Sequence, residues 1–270
     1  MSYFFVLVLR RNVLFLFNQR SLQSMSILVN VVKSIFSDVR RQGAERLPVI
    51  PKVIHIIWIG DQRLIPAENI RSWRDLNKDF QVKIWGNKEL AARPWRNARH
   101  MKSLWGKELS AVADLMRYEI LYEEGGIYVD ADSSCIRPLD EVLLENHSFA
   151  CWESEIVRPG LIANGFLGFR PRSKLLANLI REIRDDVNAC DLPAWQGTGP
   201  VKLTNAFLRT QDTDLAIFPS HFFLPRHFSG RQYTGGARSY ATHEWGSTHH
   251  KQLEQGEVRP PCPDIAEMDF

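Results

Sequence analysis

The sequence has few of the features that announce a function by themselves. Its four cysteines, Cys135, Cys151, Cys190 and Cys262, lie far apart with no C-x-x-C pair. That spacing suggests neither a zinc ribbon nor a disulfide framework, and a reducing compartment is the simpler reading. His243, His249, His250 and Cys262 match no standard zinc spacing either. Charge of one sign is missing too: 34 Lys and Arg against 31 Asp and Glu leave +3, too balanced to advertise a nucleic-acid partner. No G-x-x-x-x-G-K-[ST] loop, no G-x-G-x-x-G after a strand, no H-E-x-x-H and no G-x-S-x-G occurs. This argues against P-loop nucleotidases, dinucleotide dehydrogenases and the commonest zinc proteases and serine hydrolases. No internal repeat is visible. With 44% hydrophobic and 24% charged residues, a mainly disordered chain, a collagen and a coiled coil are ruled out.

Long apolar runs are also lacking. The opening YFFVLVLRRNVLFLF is cut by Arg10 and Arg11, whereas a membrane-spanning helix takes roughly 20 mostly apolar residues. The arginines follow the apolar stretch, the reverse of a signal peptide. Residues 1–46 carry a net +5 and the remainder −2. Ile27, Leu28, Val31, Val32, Ile35, Phe36 and Val39 recur at helical spacing among Lys33, Arg40 and Arg41. Such a basic amphipathic segment suits an anionic membrane surface; a helix packed on the following domain or on a partner is the alternative. The expected organisation is a basic, apolar segment over 1–46, a globular domain over 47–255 and an extended or loosely ordered tail over 256–270. The expected location is the cytoplasm, peripheral on a membrane.

What is present begins after Pro48 and Pro51. Strands are expected over 53–58, 82–85, 127–132, 149–152, 165–169 and 215–218. Helices are expected around 65–76, over 109–124 with Gly125-Gly126 as the stop, and near 174–186. This alternation implies an α/β fold with a largely parallel sheet, whose ligands bind beyond the carboxyl ends of the strands. Asp130 and Asp132 close the central strand. Two apart on a strand, their carboxylates share a face. They would attract a hard divalent cation shared with a diphosphate, although the triplet alone is common. On a helical wheel Glu119 and Glu123 lie together, while Asp114 and Arg117 lie on the other side. That places one charged pair inward; an i,i+3 salt bridge is the plainer reading.

The string ADLMRYEILYEEGGIYVDAD resembles the signature of DXD-containing sugar transferases. These include the yeast initiating α-1,6-mannosyltransferase type, bacterial capsular and lipopolysaccharide sugar transferases and, more distantly, the glucosylating large clostridial toxins. IPKVIHIIWIG, IRSWRDLNKDFQVKIW, NGFLGFRPRSKLL, GTGPVKLTNAF and YATHEWGS resemble further blocks in the same order, from Ile50 to about Ser247. The resemblance implies a GT-A fold, a single nucleotide-sugar-binding domain and retaining transfer from a nucleotide-sugar donor, UDP-linked ahead of GDP-linked. It implies Mn²⁺ or Mg²⁺ as cofactor and a hydroxyl acceptor on a glycan, a lipid-linked glycan or a protein. Surface glycan assembly is the first expectation and a toxin-like modification of a protein the second.

Residue by residue, the resemblance implies that Trp58 stacks on the base. Asp114 and Arg117 would hold sugar and ribose hydroxyls, with Asn164 lining the sugar pocket. Asp130 would contact ribose and metal-bound water, and Asp132 would ligate the metal. Gly199 and Pro200 would shape the acceptor side. His243, Trp245 and Ser247 would close over the diphosphate, with His243 as a further metal ligand. One departure is Thr248, where the family commonly has Trp. Two rivals of other classes are a glycoside hydrolase using the paired carboxylates and a non-catalytic sugar-nucleotide binding module.

Overall fold

The computed structural model describes residues 5–9, 13–17, 50–210, 214–246 and 260–268. The chain divides into two compact units, Met1–Leu47 and Pro48–Phe270. In the first, β1 (Phe5–Leu9) and β2 (Val13–Phe17) pair antiparallel, with Phe5 opposite Phe17 and Leu9 opposite Val13. The two apolar pieces flanking Arg10 and Arg11 therefore form strands. The helical spacing over 27–39 lies outside the described residues. Among these residues no helix is long and apolar enough to cross a membrane.

In the second unit the strands are β3 (Val53–Ile57), β4 (Gln81–Trp85), β5 (Gly126–Val129), β6 (Ser133–Cys135), β7 (Ser148–Ser154), β8 (Arg158–Phe169), β9 (Leu215–Phe218) and β10 (Ala241–His243). Six of them form one sheet in the order β4-β3-β5-β8-β7-β9. The pairs β3–β4, β3–β5 and β7–β9 are parallel, and β8 runs antiparallel between β5 and β7. The α/β class and the mostly parallel sheet are as expected. The antiparallel β8 is not, and it is seven residues longer at its start than the apolar run alone suggested.

Alternation along the strands sorts side chains to two cores. Ile54, Ile56, Ile127 and Val129 face one side with Trp73, Phe149, Phe166 and Phe223. Ile57 and Tyr128 face the other, against the helices Ala98–Trp105, Leu109–Glu124, Lys174–Asp185 and Pro200–Thr210. The Leu109–Glu124 helix stops at Gly125, φ +65°, followed by Gly126, φ +99°. A Cβ on Gly126 would lie 2.7 Å from the Val53 carbonyl oxygen. Two glycines thus turn the chain from helix to central strand without a loop, which fixes where β5 begins.

Two expectations need correction. β5 stops at Val129, and Ala131 and Asp132 lie in a turn; strand alternation does not bring the two carboxylates together. The Leu109–Glu124 helix is covered on both sides, so Glu119 is as buried as Asp114 and Arg117. Glu119 accepts hydrogen bonds from the Arg96 and Asn97 amides at 2.7 and 2.8 Å, satisfying the start of the Ala98–Trp105 helix. The described part of the tail, 260–268, is extended and pinned. Trp95 N–H donates to Ala266, Met268 N–H donates to Trp95, and Ile265 is fully buried.

His55 has no counterpart in the expectations and yields a pH prediction. It is fully buried on β3. Its Nε2–H donates to the Gly125 carbonyl at 2.8 Å while Nδ1 accepts from the Trp85 indole at 3.1 Å. Burial lowers its pKa to about 4. Between that value and the unfolded value near 6.5 the unfolded chain binds more protons, so stability falls as pH drops through this window. The loss should approach about 3 kcal/mol at pH 4. Urea unfolding at pH 7 and pH 4.5 should show this loss in the wild type and a smaller one in His55→Gln. Equal losses would remove His55 from the account.

Candidate functional site

The carboxyl ends of β3 and β5 open onto one edge of the sheet, and Asp130 is the first residue beyond β5. Its amide donates to the Gly165 carbonyl at 3.0 Å. Its Oδ1 accepts from the Tyr128 hydroxyl at 2.8 Å and lies 3.3 Å from Arg117. Arg117 is buried. It also pairs with Asp114 at 3.2 Å, donates to the Asn164 carbonyl at 2.7 Å and sits 4.3 Å over the Tyr128 ring. Burial opposes ionisation of Asp130, yet Arg117 and the hydrogen bond from His243 hold its carboxyl well below the usual range. Burial likewise works against the Arg117 charge, and Tyr128, Asp130 and Asp114 outweigh it.

Asp114 lies one helical turn before Arg117 on the Leu109–Glu124 helix. It accepts from Thr198 Oγ1 at 2.9 Å and from the Asn164 side-chain amide at 2.8 Å. Burial pushes its pKa up to about 6 against the pull of Arg117. Asn164 also donates to the Tyr118 hydroxyl at 3.0 Å. Gly199 closes this corner, since a Cβ there would lie 3.1 Å from Asp114 Oδ2; Pro200 then opens the next helix.

The third element comes from far along the chain. β10 pairs antiparallel with β6, placing His243 opposite Ser133, one residue from Asp132. Glu244 N–H continues the ladder to the Asp132 carbonyl at 3.1 Å. His243 Nε2 then lies 3.2 Å from Asp130 Oδ2 and 3.2 Å from Asp132 Oδ1. Trp245 adopts φ +58°, a left-handed conformation uncommon for a bulky residue. That turn directs the Gly246 amide to Asp132 Oδ2 at 2.7 Å. It is held by the Trp245 indole N–H to the Arg226 carbonyl at 2.9 Å and by edge contacts with His227, Phe228 and His243. Burial pushes the Asp132 pKa up, with His243 pulling against it.

Ligand atoms of Asp130, Asp132 and His243 all lie within 4.8 Å of one another. Two carboxylate oxygens and one imidazole nitrogen suit a hard divalent cation such as Mn²⁺ or Mg²⁺. The Trp245 amide donates to His243 Nδ1 at 3.0 Å, so the ring's proton sits on Nε2, bridging the two carboxylates. His243 would ligate through Nε2 only after this proton leaves that nitrogen and the Trp245 amide turns away. The two aspartates need no such change.

Residues 66–149 match the family model described as "Glycosyltransferase sugar-binding region containing DXD motif". This stretch is similar to the DXD region of these glycosyltransferases. The matched stretch takes in Asp114, Arg117, Asp130 and Asp132; Arg117 joins Asp114 and Asp130 directly, and Asp132 joins them through His243. The chain is 30% identical to an inositol phosphoceramide mannosyltransferase of Schizosaccharomyces pombe over 142 residues, 50% of this chain and 37% of that protein. It is 31% identical to an uncharacterized glycosyltransferase of Acanthamoeba polyphaga mimivirus over 130 residues, 46% of this chain and 51% of that protein. The chain thus spans between about a third and a half of the length of these relatives. Among solved structures, the PaToxG glycosyltransferase superposes with a TM-score of 0.49 at 16% identity, covering 70% of this chain and 79% of the other.

Outside the DXD region, Asn164, Gly199, His243 and Trp245 join the same network. Trp58 stands apart from these contacts. It follows β3 at the same sheet edge, half-buried, its indole N–H spent on the Asp61 carbonyl at 3.0 Å. Ser247 lies outside the described residues. Sequence reasoning missed Tyr128, Thr198 and Gly165. Tyr128 could have been found, because two residues before Asp130 it faces the same way. Gly165 had no signal, since its role is to leave space: a Cβ there would stand 2.3 Å from Asp130 Oδ2. Gly165→Ala should therefore displace the Asp130 carboxylate. Overpacking of this kind costs about 1–3 kcal/mol, so Mn²⁺–nucleotide affinity should fall about tenfold or more. Calorimetric titration checks this, and unchanged affinity would show that Asp130 has room to move.

Proposed function

We propose that the protein is a retaining glycosyltransferase that moves a sugar from a nucleotide donor to an acceptor hydroxyl, with a divalent cation held by Asp130 and Asp132. The observation that carries this reading is the convergence of both DXD carboxylates on His243, with Asp130 braced from behind by Arg117. Bound there, the cation supplies Lewis-acid neutralisation of the departing diphosphate. The Gly246 amide and the Trp245 turn fix Asp132 from the other side. In this reading Trp58, the residue after the neighbouring strand, takes the base. Asp114, oriented by Thr198 and Asn164, accepts hydrogen bonds from donor-sugar hydroxyls.

One imidazole nitrogen 3.2 Å from each carboxylate means that Asp130 and Asp132 line one point. A hydrolase would need carboxylates on two sides of a glycosidic bond. Asp114, Asp130 and Asp132 all have fixed partners, which favours front-face substitution over a covalent glycosyl-enzyme. Release of nucleoside diphosphate from a panel of UDP- and GDP-linked sugars, with and without Mn²⁺, tests the reading. Hydrolysis of a free oligosaccharide without any nucleotide sugar would sink it. A trapped covalent glycosyl-enzyme would sink the front-face mechanism.

The acceptor belongs to surface glycan assembly in this reading. The net +5 of residues 1–46 would hold the protein at an anionic membrane. Removing those residues should abolish co-sedimentation with anionic liposomes, and equal binding by the shortened chain would refute the idea.

A further inference from the structure

The network does not end at Trp245. His227, whose ring meets the Trp245 edge at 5.2 Å, is buried and lies 3.3 Å from Glu153 Oε1. Glu153, buried at the end of β7, pairs with Arg158 at 3.2 Å. The Arg158 guanidinium spans two rings, 5.0 Å over Trp195 and 5.4 Å over Phe228. Trp195 is 39% exposed, although a guanidinium already lies over its ring. Its backbone approaches the sugar end of the site: a Cβ on Gly199 would lie 3.0 Å from Trp195 Cα and 3.1 Å from Asp114 Oδ2.

Topology places this cluster opposite Trp58. β5, which delivers Asp130, has β3 on one side and β8 then β7 on the other. Because β8 is antiparallel to β5, its first residues extend past the carboxyl end of β5. Trp58 flanks the site from β3. Arg158 and Glu153 flank it from β8 and β7. A donor whose base takes the β3 flank leaves the other flank for the second substrate.

We infer that Trp195 and Arg158 form an acceptor subsite that takes a pyranose ring. The apolar C–H face of a pyranose stacks on an exposed indole, and a guanidinium with five N–H donors has some to spare for ring hydroxyls after pairing with Glu153. The Glu153 pair fixes Arg158, so the platform is rigid before the sugar arrives. This inference rests on the transfer reading for its place in the reaction, but sugar binding is measurable without turnover.

The test is a titration of the full chain, ¹⁵N-labelled at its indoles, with methyl α-mannopyranoside, methyl α-glucopyranoside and uridine. The Trp195 indole signal is identified by its loss in Trp195→Phe. It should shift with at least one pyranoside and not with uridine. With a nucleotide-sugar donor and the same pyranoside as acceptor, Trp195→Ala should lower the share of turnover going to sugar rather than to water by about tenfold, and Trp195→Phe should restore most of it. A Trp195 signal indifferent to both pyranosides, or one that answers to uridine, overturns the inference. A wild-type protein that turns over no nucleotide sugar would overturn the transfer reading instead, while the indole titration still decides the subsite.

Discussion

Asp132→Asn should abolish cation-dependent turnover, a loss of about 10³-fold or more, equivalent to about 4 kcal/mol of transition-state stabilisation. The substitution preserves size and can still accept the Gly246 amide, which lies 2.7 Å from Oδ2. What it removes is the charge that offsets the cation. Folding should survive, because Asp132 makes no contact with Arg117 among the described ion pairs. Asp130→Asn is expected to lose less activity and more stability. Asp130 neutralises the buried Arg117 and accepts from Tyr128, so its replacement leaves part of a buried charge uncompensated. Calorimetry with Mn²⁺ plus nucleoside diphosphate, beside thermal unfolding of both variants, separates the two roles. Wild-type cation–nucleotide binding by Asp132→Asn would show that the cation is held elsewhere.

Arg117→Met should destabilise the fold by about 3–5 kcal/mol, the cost of stranding buried carboxylates by removing their partner. Arg117 faces two of them, Asp114 at 3.2 Å and Asp130 at 3.3 Å, and is itself buried. The penalty should depend on pH with a definite sign. Burial already raises Asp114 to about 6, and Arg117 is the charge holding it down. Without Arg117 the folded state keeps the Asp114 proton to higher pH than the unfolded chain does. Stability of the variant is then greatest below the unfolded value near 4 and is lost as pH rises through the folded value. Urea unfolding should show a smaller deficit at pH 5 than at pH 8. A deficit independent of pH would mean that the lost contacts with Tyr128 and Asn164, rather than the charges, set the cost.

The sequence by itself determined much of the scaffold. Buried strands and helices have short-range signatures, so β3, β4, β9 and the Leu109–Glu124 and Lys174–Asp185 helices are legible to within a residue or two. The Asp114, Arg117, Asp130 and Asp132 cluster is legible as well, because a single helix, two glycines, one strand and the turn after it carry all four within nineteen consecutive residues. Local pattern misled where burial was two-sided. The wheel set Glu119 outward, yet helices cover both faces, and its carboxylate is spent on the amides of Arg96 and Asn97.

Only the tertiary structure decided how the carboxylates converge. Asp130 and Asp132 leave the strand and sit in a turn, so no periodicity aligns them. His243 aligns them across more than a hundred residues, through the pairing of β10 with β6. Arg117 braces Asp130 from behind at a distance set by helix packing on the sheet. Gly165 and Gly199 matter for the space they leave, and Arg158 and Trp195 matter for the flank they occupy. A sequence records which groups are available. Pairing and packing between distant segments determine which of them meet, because a hydrogen bond or ion pair forms only within a few ångströms and only in the right direction.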